Sequence, residues 1–376
     1  MSTSTETLSR AVVPLRGFIP SLEGMRAFAA LGIIVTHVAF QTGAASSPVM
    51  GRIWGRFDLT VAIFFALSGF LLWRPHAAQA RGVGCAQSAG RYFYSRVLRI
   101  VPAYWVVVVL VLLFLPGAGG DYRVWLANLS LTQVFVPLTL TEGMTQMWSL
   151  SVEVAFYLLL PLAAFAMVKL RGSAAHLRIP VLAVVSAISL SWAFLPVVAA
   201  PNTHHDNWLP GYIPWFAAGM VLAEISVGPI TWVHRLCSHR RIVGAIALLA
   251  FALSATPLAG PQGLVRPEPW QYEVKIVLGS VLAFALLAPL VLADDHRHHR
   301  VLEHPVMLAL GRWSYGIFIW HLAVLAMVFP VFGVAPFQGH FWLVLCVTVA
   351  LSIPVAAASY ALVEDPMRRR FSRSRQ

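Results

Sequence analysis

Ten runs of apolar residues, each about as long as a bilayer is thick, divide this chain of 376 residues. They fall at 24–43, 57–73, 100–116, 147–168, 179–198, 211–226, 242–259, 275–292, 306–329 and 340–363. A helix needs about 20 residues to cross roughly 30 Å of hydrocarbon. A backbone in lipid must satisfy its own hydrogen bonds, so runs of this kind fold as helices. The fold class expected is all-α, a polytopic transmembrane helix bundle of about ten spans. Charged residues make up 11% of the chain, less than half of the roughly 25% found in soluble domains. Little polar sequence separates the runs. This predicts one domain over 18–370, between a tail at 1–17 and a basic tail at 371–376. The sixth run is short, and 123–138 is apolar enough for a re-entrant or interfacial helix, so the count is open by one or two. No internal repeat and no appended enzyme domain is visible. The first run is too long for a cleavable signal, carries Arg26 and His37, and leads into further spans.

Basic residues set the expected orientation. Arg10 and Arg16 lie in the N-terminal tail, and Arg74, Arg81, Arg91, Arg96 and Arg99 in the second loop. Lys169, Arg171 and Arg178, then Arg235, Arg240 and Arg241, then Arg297 and Arg300 occupy the later even loops. The C-terminal tail carries Arg368, Arg369, Arg370, Arg373 and Arg375. With ten spans all of these lie on one side, against Arg52, Arg56, Arg123 and Arg266 on the other. The positive-inside rule then puts both termini in the cytoplasm. The net charge of +12 has the same origin. No basic helix or aromatic platform speaks for nucleic acid. Cys85 and Cys237 read as cytoplasmic loop residues and Cys346 as part of a span, none at metal-ligand spacing. The histidines of HRHH (296–299) and HHD (204–206) read as solvated, so no metal site is expected.

Ionisable groups inside an apolar run are costly and mark function by default. In the first span Arg26 and His37 are eleven residues apart. That is about 16 Å of rise and three turns plus about 20°, so both side chains share a face. Taken singly, Arg26 reads as a snorkelling anchor and His37 as a packed, hydrogen-bonded histidine; the shared face weakens both readings. Ser68 in FFALSGF falls near the middle of the second span, where Ser beside Gly also serves plain helix packing. Glu153 in MWSLSVEVAFY lies one to two turns below the outer surface, and His321 more than halfway along the ninth span. By depth, His37, Glu153 and His321 converge in the central to outer part of the bundle. A carboxylate beside an imidazole raises its basicity and fixes its tautomer, as a general base requires.

A second layer is cytoplasmic. In SRVLRIVPAY, Arg96 and Arg99 sit at i, i+3 and share a helix face. Together with Arg26 they would form an anion site suited to phosphates. Glu364, in LVEDPMRRR, ends the tenth span beside this layer and is placed to pair with an arginine there. A donor with a phosphorylated end and a reactive group on a flexible arm fits such a layout.

Six blocks carry a resemblance. PSLEGMRAFAALGIIVTH (20–37), FFALSGFLLW (64–73), RVLRIVPAY (96–104), WSLSVEVAFY (148–157), SYGIFIWH (314–321) and EDP (364–366) resemble, in order, the blocks of the membrane-bound acyltransferase 3 family. Glu-Gly-Met-Arg stands where Asp-Gly-Leu-Arg is usual, and Phe318 where Tyr is common. The resemblance spans about 18 to 370. It implies an integral-membrane O-acyltransferase of the bacterial inner (cytoplasmic) membrane. The implied donor is acyl-CoA, most often acetyl-CoA, and the acceptor a hydroxyl of a carbohydrate, glycolipid or macrolide. No permanently bound cofactor is expected, and a homo-oligomer is compatible. The resemblance implies that the Arg26–His37 and Arg96–Arg99 pairs are required. The expected catalytic residues are His37, Glu153 and Arg26, with Arg96, Arg99 and Arg26 on the donor. Ser68, Tyr104, Trp148, His321 and Glu364 are expected to support the site. His37 is read as the base on the acceptor or as an acyl carrier, with Glu153 orienting or charging it. The alternatives are a proton-coupled transporter with His37 and Glu153 as relay groups, and a non-catalytic component of polysaccharide assembly.

Overall fold

The computed structural model describes residues 17–201, 203–261, 265–293 and 298–373, with no side chains described from 371 on. Arg10, Arg16, His296, Arg297 and Arg375 therefore lie outside the described residues. Every expected run has a helix at its centre, although that at 179–198 is α-helical only to Ser189, and no strand occurs among the described residues. The first is α1, Pro20–Gln41, whose proline at the first turn needs no donor. A short α2, Met50–Gly55, and a 3-10 turn lead into α3, Thr60–Ala80. Then come α4, Ala89–Phe114, and α5, Tyr122–Leu129. The Asp121 carboxylate caps α5 by accepting from the backbone N–H of Arg123 at 3.0 Å. At eight residues α5 rises about 12 Å, too little to cross a membrane. The remaining helices are α6 (Trp148–Ala166), α7 (Arg178–Ser189), α8 (Leu209–Ser226), α9 (Trp232–Ser238), α10 (Arg240–Ser254), α11 (Pro269–Leu292), α12 (Pro305–Phe332), α13 (Phe341–Ser359) and α14 (Asp365–Arg373). A π-helical turn, Tyr360–Glu364, joins the last two.

This is a multi-pass membrane protein, within the expected range of about ten spans open by one or two. Eight segments are long and apolar enough to cross a membrane, or nine if α9 and α10, bent by 90°, form one span. The expected run at 211–226 is α8, a continuous helix of 18 residues that includes Pro210, Pro214 and Glu224. One boundary is corrected, that of α4. It starts at Ala89, eleven residues before the expected limit, because Arg91, Arg96 and Arg99 dilute the apolar signal of its first turns. Arg96 and Arg99 share this helix, as their i, i+3 spacing implied. Cys237 is likewise in α9 and buried, not in a loop.

Two close approaches fix the part of the bundle that matters below. α3 crosses α8 where Gly69 and Gly219 face backbone. A Cβ on Gly219 would lie 1.8 Å from the Ala66 carbonyl oxygen, and one on Gly69 would lie 2.1 Å from that of Phe216. Small residues that let backbones meet are the usual glue of membrane helices. Beside this crossing, Phe216 of α8 stacks between Phe65 of α3 at 4.4 Å and Phe156 of α6 at 4.0 Å. The three rings set α6 against α3.

Near the other end of α3, the fully buried Glu224 carboxylate collects three donors. Trp73 Nε1 donates at 2.7 Å, Arg178 Nε at 2.6 Å, and Arg81 joins from the last turn of α3. The Arg178 guanidinium also lies 4.9 Å from the Trp73 ring centroid. This network ties α3, α7 and α8 together. Removing one partner of a buried ion pair leaves an uncompensated charge and costs about 3–5 kcal/mol. Glu224→Ala is therefore expected to lower the melting temperature of the detergent-solubilised protein well below that of Glu224→Gln, which keeps an acceptor. Equal melting temperatures for wild type and Glu224→Ala would contradict the clamp.

Candidate active site

α1, α3, α4, α6 and α12 enclose a cavity whose two ends differ in chemistry. Arg26 of α1 and Arg96 and Arg99 of α4 line one end, and Val61, Phe64, Phe65 and Phe318 the other. Between them lie Ser68 of α3 and Glu153 and Tyr157 of α6. Arg26 donates to Glu23 Oε1 at 2.9 Å, one turn earlier on α1. The Arg96 guanidinium lies 5.9 Å from the Tyr157 ring centroid, within range of a cation–π contact. Tyr315 of α12 donates to the Ile100 carbonyl at 2.8 Å and so fastens α12 to α4 beside the arginines.

Glu153 is the hub. Tyr157, four residues on, donates its hydroxyl to Glu153 Oε1 at 2.6 Å, and the Ser68 hydroxyl donates to the same oxygen. Glu153 is the only carboxylate among the described residues that line the cavity, against three guanidinium groups. The cavity therefore carries a net positive charge inside apolar walls, where a bound anion gains more than it would in water.

The two histidines stand just beyond the apolar end. His321 is fully buried, and its Nδ1 lies 2.7 Å from the Phe318 carbonyl and 3.2 Å from that of Ile317. Carbonyls only accept, so Nδ1 carries the hydrogen and Nε2 the lone pair. That Nε2 has no partner among the described residues. The His37 ring lies 5.3 Å from the His321 ring, tilted by 41°, and His37 is only half-buried. Gln146 donates to the Ile319 carbonyl at 3.1 Å and to that of Phe318 at 3.4 Å, holding this part of α12 from the turn before α6. The Phe318 ring, which lines the cavity, is 6.0 Å from His321 and 6.1 Å from Phe64. These two phenylalanines separate the cavity from the histidine pair.

The expected residues thus fall into two groups. Arg26, Arg96 and Arg99 meet in one cavity as anticipated, and Ser68 and Glu153 join them there. His37 meets His321. Glu153 does not join the histidines: its carboxylate turns to Ser68 and Tyr157. Depth along a helix is readable from sequence, whereas rotation of α6 against α3 is set by ring stacking. Tyr104 is fully buried and donates to the Asn128 carbonyl at 2.6 Å, fastening α4 to α5 away from the cavity. Trp148 packs on Tyr212 at 5.1 Å and does not line the cavity. Glu364 is buried with Oε1 unpartnered among the described residues, and it forms no direct ion pair with an arginine among them. Sequence reasoning missed Tyr157, Phe64 and Gln146. Only Tyr157 had a signal, the i, i+4 spacing from Glu153.

Bundle and cavity define an integral-membrane protein that presents a cationic pocket to buried hydroxyl, carboxylate and imidazole groups. The chain belongs to the acyltransferase 3 family, whose acyltransferase domain matches residues 19–361. It is 23% identical over 378 residues to the peptidoglycan O-acetyltransferase OatA of Listeria monocytogenes, covering 94% of this chain and 56% of that protein. It is 27% identical over 386 residues to the acyltransferase MdmB of Streptomyces mycarofaciens, covering 95% of this chain and 93% of that protein. It is 26% identical over 388 residues to nodulation protein 10 of Rhizobium leguminosarum bv. viciae, covering 91% of each. The chain thus spans little more than half the length of the peptidoglycan O-acetyltransferase. No solved structure matches it.

A ligand that binds only the folded state raises its stability by RT ln(1 + [L]/Kd). Pyrophosphate is expected to raise the melting temperature of the purified protein, and the Arg96→Ala/Arg99→Ala double variant to lose that rise. A rise of the same size in the double variant would contradict the anion site.

Proposed function

We propose that this protein is an integral-membrane O-acyltransferase that moves an acyl group, acetyl in the first instance, from acyl-CoA to a hydroxyl of a carbohydrate, glycolipid or macrolide. One observation carries the reading: an arginine-lined cavity runs from Arg26, Arg96 and Arg99 to a phenylalanine pair with His321 and His37 directly behind it. Coenzyme A has phosphates for the arginines and a long neutral arm for the apolar part. Guanidinium groups suit phosphate oxygens because they offer several donors in a fixed plane. The positive-inside distribution supports entry of the donor from the cytoplasm, with both termini on that side and the protein in the bacterial inner membrane.

In this reading His37 takes the proton from the acceptor hydroxyl. The free Nε2 lone pair of His321 is the available acceptor for a His37 N–H. That bond would fix the His37 tautomer and leave its second ring nitrogen as the base. His37 keeps part of its surface open, so the acceptor approaches it from the side away from the donor cavity. The similarity to a peptidoglycan O-acetyltransferase supports a glycan as acceptor.

General-base catalysis typically contributes 10²–10⁴-fold. His37→Ala is expected to lower transfer from radiolabelled acetyl-CoA to membrane glycans and glycolipids by about that factor, with CoA binding retained. Wild-type transfer by His37→Ala would contradict the assignment, and proton-coupled transport without acyl-CoA-dependent labelling would favour a transporter.

A further inference from the structure

The donor cavity ends at Phe64 and Phe318, and the histidines lie on the far side of that pair. A thioester seated on the arginines therefore meets Ser68 before it meets His37. Ser68 is half-buried and lines the cavity. Its hydroxyl already donates to Glu153, which is the arrangement of a nucleophile with an adjacent base. Tyr157 donates to the same oxygen but is more deeply buried. Ser68 also sits one turn from Phe64 on α3, and the next residue, Gly69, presses on the Phe216 backbone. The nucleophile is thus held on a backbone that cannot drift, at the edge of the barrier to the histidines.

We propose that Ser68 is the acyl carrier of this enzyme, a covalent relay between the donor cavity and the His37 side. The proposal rests on the donor assignment above. In the first half-reaction Ser68 Oγ attacks the thioester carbonyl and its proton passes to Glu153. The C–S bond breaks, an oxygen ester forms on Ser68, and the CoA thiolate leaves toward the arginines and takes a proton from water. In the second half-reaction Phe64 and Phe318 part, and the acceptor hydroxyl gives its proton to His37. The acceptor oxygen attacks the ester, the bond to Ser68 Oγ breaks, and Ser68 takes back the proton held by Glu153. His37 then loses its proton to water. No oxidant or further reactant enters.

The test uses the purified full-length His37→Ala variant, which on this account completes the first half-reaction and stalls in the second. Incubated with radiolabelled acetyl-CoA and no acceptor, it is expected to accumulate protein-bound label that peptide mass analysis places on Ser68. The His37→Ala/Ser68→Ala double variant is expected to hold none. Ser68→Ala alone is expected to lose transfer with CoA affinity unchanged. Ser68→Cys is expected to carry the label as a thioester that neutral hydroxylamine releases. Calorimetric titration with CoA on the same preparations separates the two levels. CoA binding without label on Ser68, or wild-type transfer by Ser68→Ala, overturns the relay and leaves the donor site standing. Absence of CoA binding to the wild type overturns both.

Discussion

The Glu153 carboxylate is the constraint around which this bundle is arranged. An ionised group within a membrane helix costs several kcal/mol unless protein groups replace water. Here two hydroxyls, from Ser68 and Tyr157, converge on one of its oxygens, and three arginines share its cavity. The contact with Ser68 joins positions 85 apart in the chain, so it forms only if α3 and α6 are set correctly in rotation and depth. The Phe65–Phe216–Phe156 stack and the Gly69–Gly219 crossing do that setting. Glu224 clamps the far end of α3 by ion pairing instead: both oxygens of its fully buried carboxylate are supplied by donors, two of them arginines.

The second organising feature is the division at Phe64 and Phe318. On one side lies charge, suited to a phosphorylated donor. On the other lies an imidazole pair, with His321 held by backbone carbonyls and His37 partly open. In the proposed reaction this separation would keep water that enters with the donor away from the proposed base.

Much of this was legible in the sequence, and the failures share a cause. Apolar run length located the long helices of the bundle but not the short α2, α9 and α14. The eleven-residue spacing put Arg26 and His37 on one helix, where Arg26 lines the cavity and His37 meets His321 outside it. The spacing of Arg96 and Arg99 placed both on the cavity face of α4. Glu153 was assigned to the histidines because its depth matches theirs. Depth follows from counting residues, but the azimuth of α6 follows from ring stacking between segments far apart in sequence. α4 was begun too late because its arginines mask the apolar period. Gln146 stayed hidden because a polar residue in a turn carries no periodic signal, and its role appears only when the turn meets the α12 carbonyls.

The most direct test of the account is a structure of the protein with coenzyme A bound. The phosphates are expected on Arg26, Arg96 and Arg99, with the sulfur beside Ser68 and short of Phe318. A sulfur lodged beyond Phe318 against His37, or phosphates bound away from the three arginines, would contradict it.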